Sequence, residues 1–388
     1  MAEKPIAGSQ RLCSTGRQPI LAESVMRLIP LLALAALAAS PLTAQADHES
    51  ASTILGQWTQ YAARLHILKP AQNLRELPAS QNQDSIQRVT ANTQPFLGTA
   101  MAAVMIENGA LVFEGYAKGA TRESQLNAYS MAKSLTALAV GEALCAGKIK
   151  SLDDKAVVYA PQLEGTAYGA ASIRHLLSMS SGAEDPGGNG YVGIHNLRDF
   201  RAMTNHQITL VELIRKYGGT SRFKPGEKFI YNGLDSNALS VVIRGATGMP
   251  LAAWFESTVW QQAGAEYPGG WFQDSEGNTV AEILFYATAR DFARIGLYIA
   301  DRLTDKAGDA CIRDFMKEAA KPLYKKGYWE PAPAWGLGLH TGADGNTWMF
   351  GHGGQRVGIN VKTGRVFATN GHSDPRGVDT TIQGILAR

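Results

Sequence analysis

The sequence predicts an α/β protein of the α+β type, with an antiparallel sheet built from both ends of the chain and helices on its faces. Three observations favour this fold. Short apolar runs typical of strands occupy residues 100–116, similar runs return at residues 335–370, and helical periodicity dominates from Ser130 to Leu303. Strands at both ends of a chain with helices between them imply one sheet with an inserted helical subdomain, and active sites commonly lie where two such parts meet.

The composition is that of a globular protein. The chain has 388 residues, of which 45% are hydrophobic and 18% charged, and this excludes a disordered chain, a collagen-like repeat and a polytopic membrane protein. A net charge of +3 without a basic run argues against a nucleic-acid or anionic-membrane partner, so the expected partner is a small-molecule substrate. No metal or organic cofactor is predicted, because the three cysteines lie in no zinc-like motif. The oligomeric state stays open.

The amino terminus is typical of an export signal. An apolar run from Leu28 to Ala39 is too short to span a bilayer, which predicts no stable membrane anchor, and a cleavage site follows at Ala44-Gln45-Ala46. A buried helix is the alternative, but Pro30 argues against it. We therefore predict a signal segment over residues 1–46, a start of translation at Met26, and a periplasmic or secreted protein.

The mature chain divides into two predicted parts. Residues 47–98 form an N-terminal extension whose role the sequence does not reveal, and residues 99–388 form the main domain. With Cys13 removed in the signal segment, Cys145 and Cys311 remain, and their spacing does not decide whether they pair.

The strands are predicted from local turn signals. Ala100–Ile106 and Ala110–Tyr116 flank Asn108-Gly109, a dipeptide that favours a tight hairpin turn. Near the C-terminus, four further runs are rich in branched and aromatic residues: Trp335 to His340, Trp348 to Phe350, Gly358 to Val361, and Arg365 to Asn370.

A candidate nucleophile opens the main helical region. From Ser130 to Cys145 the chain is strongly helix-forming, so Lys133 lies one turn from Ser130 on the same face. A serine needs a base to take its proton, and a lysine serves when burial lowers its pKa. The same letters recur at Ser221 and Lys224, but Pro225 follows at once, so that pair is predicted to lie in a solvated loop.

These residues stand within a series of motifs that resembles a known family. Tyr129 to Ser134, Ser151 to Lys155 and Ile173 to Gly182, followed by Pro225 to Asp235 and Ala287 to Gly296, are similar to the serine β-lactamase and penicillin-binding superfamily. The pattern is closest to its class-C-like branch of esterases, D-aminopeptidases and aminohexanoate-dimer hydrolases. The resemblance covers roughly Thr99 to the C-terminus and implies the β-lactamase/transpeptidase-like fold.

The second catalytic element of that family is a tyrosine, and Tyr231 matches it by position. A phenol there can relay a proton onto the leaving group. The sequence also predicts a helix from Asn237 to Ala246, with Asp235 and Ser236 as its cap. β-Lactamases usually have Tyr-x-Asn at this point, whereas this chain has Gly233 in the third position and therefore lacks the amide.

The third element of the family lies on a strand that lines the site. Lys362-Thr363-Gly364 carries the expected letters, but it falls between two strand-like runs and is interpreted as a hairpin connection. One strand earlier, His352-Gly353-Gly354 resembles a His-x-Gly variant and is the predicted substrate-binding segment. By resemblance, the backbone N–H groups of Ser130 and Gln355 form the oxyanion hole.

The resemblance implies a serine hydrolase that forms an acyl-enzyme on Ser130. A histidine at 352 is mostly neutral at pH 7, which weakens the case for substrates with a carboxylate, although Arg356 could restore a positive charge. Small amides or carboxylic esters are therefore the leading substrates. A β-lactamase or D-alanyl-D-alanine carboxypeptidase is the alternative within this class, and a non-catalytic cell-wall-binding protein of the same fold is the alternative outside it.

Overall fold

The computed structural model describes residues 51–183, 197–219, 221–325, 332–342, 344–371 and 378–387. The predicted signal segment lies outside these residues. The strands are β1 Leu65–Leu68, β2 Ala102–Glu107, β3 Ala110–Tyr116, β4 Leu126–Asn127, β5 Gly269–Phe272, β6 Phe285–Ala287, β7 Tyr324–Lys325, β8 Ala334–Trp335, β9 His340–Thr341, β10 Thr347–Gly351, β11 Gln355–Asn360 and β12 Arg365–Asn370.

The helices lie mainly between β4 and β7. They are α1 Ala51–Tyr61, α2 Gln83–Thr93, α3 Met131–Cys145, α4 Ala167–Ala170, α5 Ile173–Leu177, α6 Leu197–Thr204, α7 Leu210–Tyr217, α8 Gly233–Thr247, α9 Leu251–Phe255, α10 Gln261–Ala263, α11 Ala289–Leu303, α12 Ala310–Ala319 and α13 Val378–Ala387. In the described part of the chain no single helix is long and apolar enough to cross a membrane, although α8 and the bent segment after it pass that test together.

The larger sheet joins the two ends of the domain. Its order is β3-β2-β12-β11-β10-β9-β8-β7, and each neighbouring pair is antiparallel. The N-terminal hairpin turns at Asn108 and Gly109, with φ of 51° and 84°, as a type I′ turn requires. Strand β2 of that hairpin then pairs with the C-terminal strand β12. The prediction of a sheet built from both ends of the chain is confirmed.

Both faces of this sheet are buried, as the side chains of β2 show. Val104 and Ile106 belong to the main hydrophobic core, and α11 packs on that face. Ala103 and Met105 point to the other face and join a second core with Ile382 of α13. This alternation follows from the two-residue period of a strand, and β2 is buried from Ala102 to Ile106.

One predicted strand is interrupted. The run Trp335 to His340 was expected to be continuous, but it forms the ends of β8 and β9, which pair with each other in an antiparallel hairpin. Gly338, between them, has a φ of +85°, and a Cβ built on it would lie 2.2 Å from the Cβ of Ala137 in α3. A glycine is needed there because the backbone is left-handed and pressed against the helix.

A second sheet has two strands, β5 and β6, within the region that was predicted to be helical, and two, β1 and β4, before it. Its order is β1-β5-β6-β4, with antiparallel pairs. The prediction missed these strands because they are two to four residues long and give too few positions for a two-residue period to be recognised. This sheet matters for function because β6 begins shortly after Glu282, whose backbone oxygen accepts a hydrogen bond from Lys133.

Helix α3 is the centre of the fold. It is buried on nearly all sides from Met131 to Val140, which is typical of a core helix, and α8, α9, α12 and β10 pack around it. At its C-terminal end, Cys145 forms a disulfide bond with Cys311 of α12. The pairing that the sequence left open is therefore present.

Candidate active site

Ser130 lies at the N-terminal end of α3, where it is the N-cap residue without using its side chain as a cap. The preceding residue, Tyr129, has a φ of 47°, which is unusual for a residue with a side chain. Its backbone N–H donates to the side-chain oxygen of Asn127 at 2.8 Å, which helps to hold this turn. The turn and the helix start leave the Ser130 hydroxyl available for chemistry.

Lys133 contacts Ser130 directly. Its ammonium Nζ donates to Ser130 Oγ at 3.1 Å and to the backbone oxygen of Glu282 at 3.0 Å. The residue is only 2% exposed. Burial lowers the pKa of Lys133 to about 8, against the opposing attraction of the Glu282 carboxylate. An amine with this pKa is partly neutral near pH 7 and can take a proton from a serine.

Tyr231 lies beside the same lysine. Its ring centroid is 5.2 Å from Lys133 Nζ, and the residue is 2% exposed. The ring packs with Met179 and Trp335 in a small separate core, edge-on to Trp335 at a centroid distance of 5.8 Å. The structure thus brings together the three predicted catalytic side chains, from α3 and from the segment before α8.

The start of α8 differs from the prediction. The helix begins at Gly233, one turn before the expected Asn237, and Asn232 is its N-cap, whose side chain accepts from the N–H of Leu234 at 2.9 Å. The prediction that Asp235 and Ser236 cap this helix is wrong, since both residues lie buried in its first turn. The earlier start places the helix N-terminus directly after Tyr231.

Sequence reasoning missed Glu282, which completes the surroundings of Lys133. Its carboxylate is fully buried, with Oε2 4.0 Å from Lys133 Nζ and Oε1 accepting from the side chain of Asn237 at 3.0 Å. A Cβ built on Gly233 would lie 1.7 Å from Oε2. Gly233, which replaces the expected amide, therefore leaves the space that the Glu282 carboxylate fills. The sequence held one signal of this residue, since Glu282 is the only acid in the apolar run 280–285.

The predicted substrate-binding segment forms the turn between β10 and β11. His352, Gly353 and Gly354 make a short 3₁₀ turn, and the two glycines have φ of 66° and 77°, which favour glycine. The ring of His352 lies 5.8 Å from that of Tyr129, between centroids, so the turn is next to the residue that precedes Ser130.

Gln355 follows this turn and is buried. Its side-chain oxygen accepts from the N–H of Gly371 at 2.9 Å, which ties the start of β11 to the end of β12. Nearby, a Cβ built on Gly351 would lie 2.2 Å from the backbone oxygen of Ala128. This close approach brings the end of β10 against the segment that leads into Ser130, and the oxyanion-hole role of Gln355 stays a prediction.

The rejected candidates lie elsewhere. Lys362, Thr363 and Gly364 connect β11 to β12, at the end of β11 opposite Gln355, as expected. Ser221 is exposed and donates to the backbone oxygen of Phe223 at 2.7 Å, in a loop rather than on a helix.

Arg356 does not supply a positive charge to the predicted binding segment. Its guanidinium forms an ion pair with Asp379 of α13 and donates to the backbone oxygens of Gly351 and Gln355 at 2.7 and 2.9 Å. It also lies over the ring of Phe350, 4.4 Å from the centroid. The arginine braces the β10–β11 turn from the side of α13.

The fold and this geometry define a class of protein. An antiparallel sheet built from both ends of the domain packs on a buried helix, which carries a serine at its start and a buried lysine one turn later. The beta-lactamase family model matches residues 89–384 of the chain. The chain therefore belongs to the beta-lactamase family, and the resemblance seen in the sequence is confirmed.

Individual relatives agree with this assignment. Penicillin-binding protein 4* of Bacillus subtilis (strain 168) is 29% identical over 180 residues, which cover 44% of this chain and 37% of that protein, so the match spans well under half of the relative's length. Among solved structures, a protein assigned as a 6-aminohexanoate-dimer hydrolase from Bacillus anthracis has a TM-score of 0.69 at 19% identity, over 87% of this chain and 94% of that one. EstCE1, a hydrolase with promiscuous acyltransferase activity, has a TM-score of 0.63 at 16% identity, over 80% of this chain and 100% of that one. These structures are similar in fold.

Proposed function

We propose that this protein is an exported serine hydrolase that acts through an acyl-enzyme on small amides or carboxylic esters. One observation carries the proposal: the ammonium of a buried lysine lies 3.1 Å from the hydroxyl oxygen of Ser130. Since a serine hydroxyl is inert until its proton is removed, a lysine with a pKa of about 8 in this position is the group that activates it.

The proposed reaction has two halves. Neutral Lys133 takes the hydroxyl proton while Ser130 Oγ attacks the substrate carbonyl, and the N–H groups of Ser130 and Gln355 stabilise the negative oxygen that forms. Tyr231 relays the proton to the leaving amine or alcohol, so the carbonyl is restored as an ester of Ser130. A water activated by the same pair then attacks this ester, releases the acid and returns the proton to Ser130.

The substrate class follows from the charges around the site. A carboxylate-bearing substrate needs a fixed cation, but His352 replaces the family's lysine and Arg356 is paired with Asp379. This favours amides and esters without a carboxylate at that end. Support also comes from the fold neighbours whose names describe a dimer hydrolase and a hydrolase with acyltransferase activity.

A second candidate is β-lactamase or D-alanyl-D-alanine carboxypeptidase activity. The observation that favours it is the sequence similarity to a penicillin-binding protein over 180 residues. A β-lactam is therefore needed among the substrates that test the proposal.

Export is supported by the disulfide bond between Cys145 and Cys311. Such bonds persist in oxidising compartments and are rare in the reducing cytosol. Together with the signal-like residues 1–46, this favours a periplasmic or secreted location, which fractionation of cells producing the full chain would test.

The proposal is tested with p-nitrophenyl esters, short amides and nitrocefin, each assayed with the wild type and with Ser130→Ala. We expect turnover of the esters or amides, weaker turnover of nitrocefin, and loss of activity in the variant. Preferred hydrolysis of nitrocefin would replace the proposed substrate class with the second candidate. Equal activity in both proteins would refute the role of Ser130.

A further inference from the structure

We propose that Glu282 is a positioning residue of this active site, and that its buried carboxylate and the absence of a side chain at Gly233 form a matched pair that holds Lys133 against Ser130. The inference rests on the proposed function and deepens it. Glu282 is fully buried, so it acts on the reaction through the lysine.

The contacts of Glu282 fix Lys133 from two sides. Its backbone oxygen accepts a hydrogen bond from Nζ at 3.0 Å, and its carboxylate Oε2 lies 4.0 Å from the same nitrogen. Asn237 of α8 donates to the other carboxylate oxygen at 3.0 Å and also accepts from the N–H of Ala281 at 2.9 Å. One amide side chain therefore fixes both the carboxylate and the backbone of this segment.

Gly233 is required by this arrangement. A Cβ at that position would lie 1.7 Å from Oε2 and 2.5 Å from the carboxyl carbon of Glu282, which no rotation of a methyl group relieves. The φ of Gly233 is not in the left-handed region, so its backbone does not demand a glycine. The carboxylate explains the glycine, and the glycine admits the carboxylate.

The electrostatic consequence concerns the protonation of Lys133. Burial alone would depress its pKa further, and the negative charge of Glu282 opposes that depression. Among described residues, the groups that the structure places beside the ammonium are Glu282, the ring of Tyr231 and the hydroxyl of Ser130. Of the other acids on α3 and the elements packed around it, Glu142, Glu256, Asp309 and Glu318 have partners of their own: Tyr298, His66, the N–H of Ile312 and Arg174. Asp314 is exposed on α12, and burial raises the pKa of Asp235 well above its usual value, which favours its neutral form.

The first test is the pH dependence of kcat/KM for a p-nitrophenyl ester in Glu282→Gln. The amide keeps the shape and removes the charge, so the pKa of Lys133 falls and the acidic limb of the profile moves about 1 pH unit or more toward lower pH. Glu142→Gln is the matched control, because it removes a carboxylate from α3 itself nine residues further along the helix, and it leaves the limb unchanged. An unshifted limb in Glu282→Gln overturns the proposal.

The second test is a double-mutant cycle in kcat/KM, compared with the same cycle in the free energy of unfolding. Gly233→Ala lowers kcat/KM at least about tenfold in the wild type, but less than about twofold when Glu282 is already alanine. Equal losses in both backgrounds overturn the matched pair. If the wild type itself is inactive, the proposed function fails, whereas an active wild type with an unshifted Glu282→Gln profile refutes only the role of Glu282.

Discussion

The pH dependence of nucleophilic attack by Ser130 provides a direct measure of the state of Lys133. With a pKa of about 8, about half of the lysine is neutral at pH 8, about a tenth at pH 7 and about a hundredth at pH 6. An ordinary lysine, with a pKa of about 10.4, would be on the order of a hundredfold less neutral at pH 8. Burial of Lys133 is therefore expected to raise the rate of attack by Ser130 by that factor near pH 8.

The assay is the second-order rate of labelling by a fluorophosphonate, followed by intact mass between pH 6 and 10. We expect the rate to rise about tenfold per pH unit up to the lysine pKa and then to level off. Lys133→Arg is the control, since arginine stays protonated throughout this range, and it should label slowly at every pH. A rate that keeps rising to pH 10, or one that does not depend on pH, would refute the reasoning.

Three further results are expected. Tyr231→Phe should slow a short amide about 100-fold but a p-nitrophenyl ester much less, because p-nitrophenolate leaves without a proton; equal losses in kcat/KM would contradict the relay. Replacing Cys145 and Cys311 by serine should lower the free energy of unfolding by about 2–4 kcal/mol, and a reductant should then have no further effect in denaturant titrations. Gly338→Ala should cost about 1–3 kcal/mol, because of its φ of +85° and the close contact with α3, whereas Gly384→Ala in the open face of α13 should leave the unfolding midpoint unchanged or raise it slightly, since alanine is the better helix former.

The parts of the fold that could be predicted are those whose signals are local. The Asn108-Gly109 turn specifies its own hairpin, and strand β12 matches the predicted run Arg365 to Asn370. Helix α3 is likewise evident from its composition. The motif series then placed Ser130, Lys133 and Tyr231 in one family, although only the folded chain shows how closely the first two approach.

The features that escaped prediction are set by contacts between distant segments. Glu282 bonds to Lys133 across 149 positions of the chain, and nothing within the run 280–285 indicates its partner. The break between β8 and β9 also depends on a distant segment, because Gly338 lies directly against Ala137 of α3. Local propensity carries no information about such contacts, so Gly338 was placed within a continuous strand and Glu282 was not singled out.

The most direct test of the account is to locate the covalent adduct. The protein is treated with a fluorophosphonate, and the modified peptide is identified by mass spectrometry in the wild type and in Ser130→Ala. A single adduct on Ser130 that disappears in the variant is the predicted result. An unmodified wild type, or an adduct that persists in Ser130→Ala, would contradict the claim that Ser130 is the nucleophile activated by Lys133.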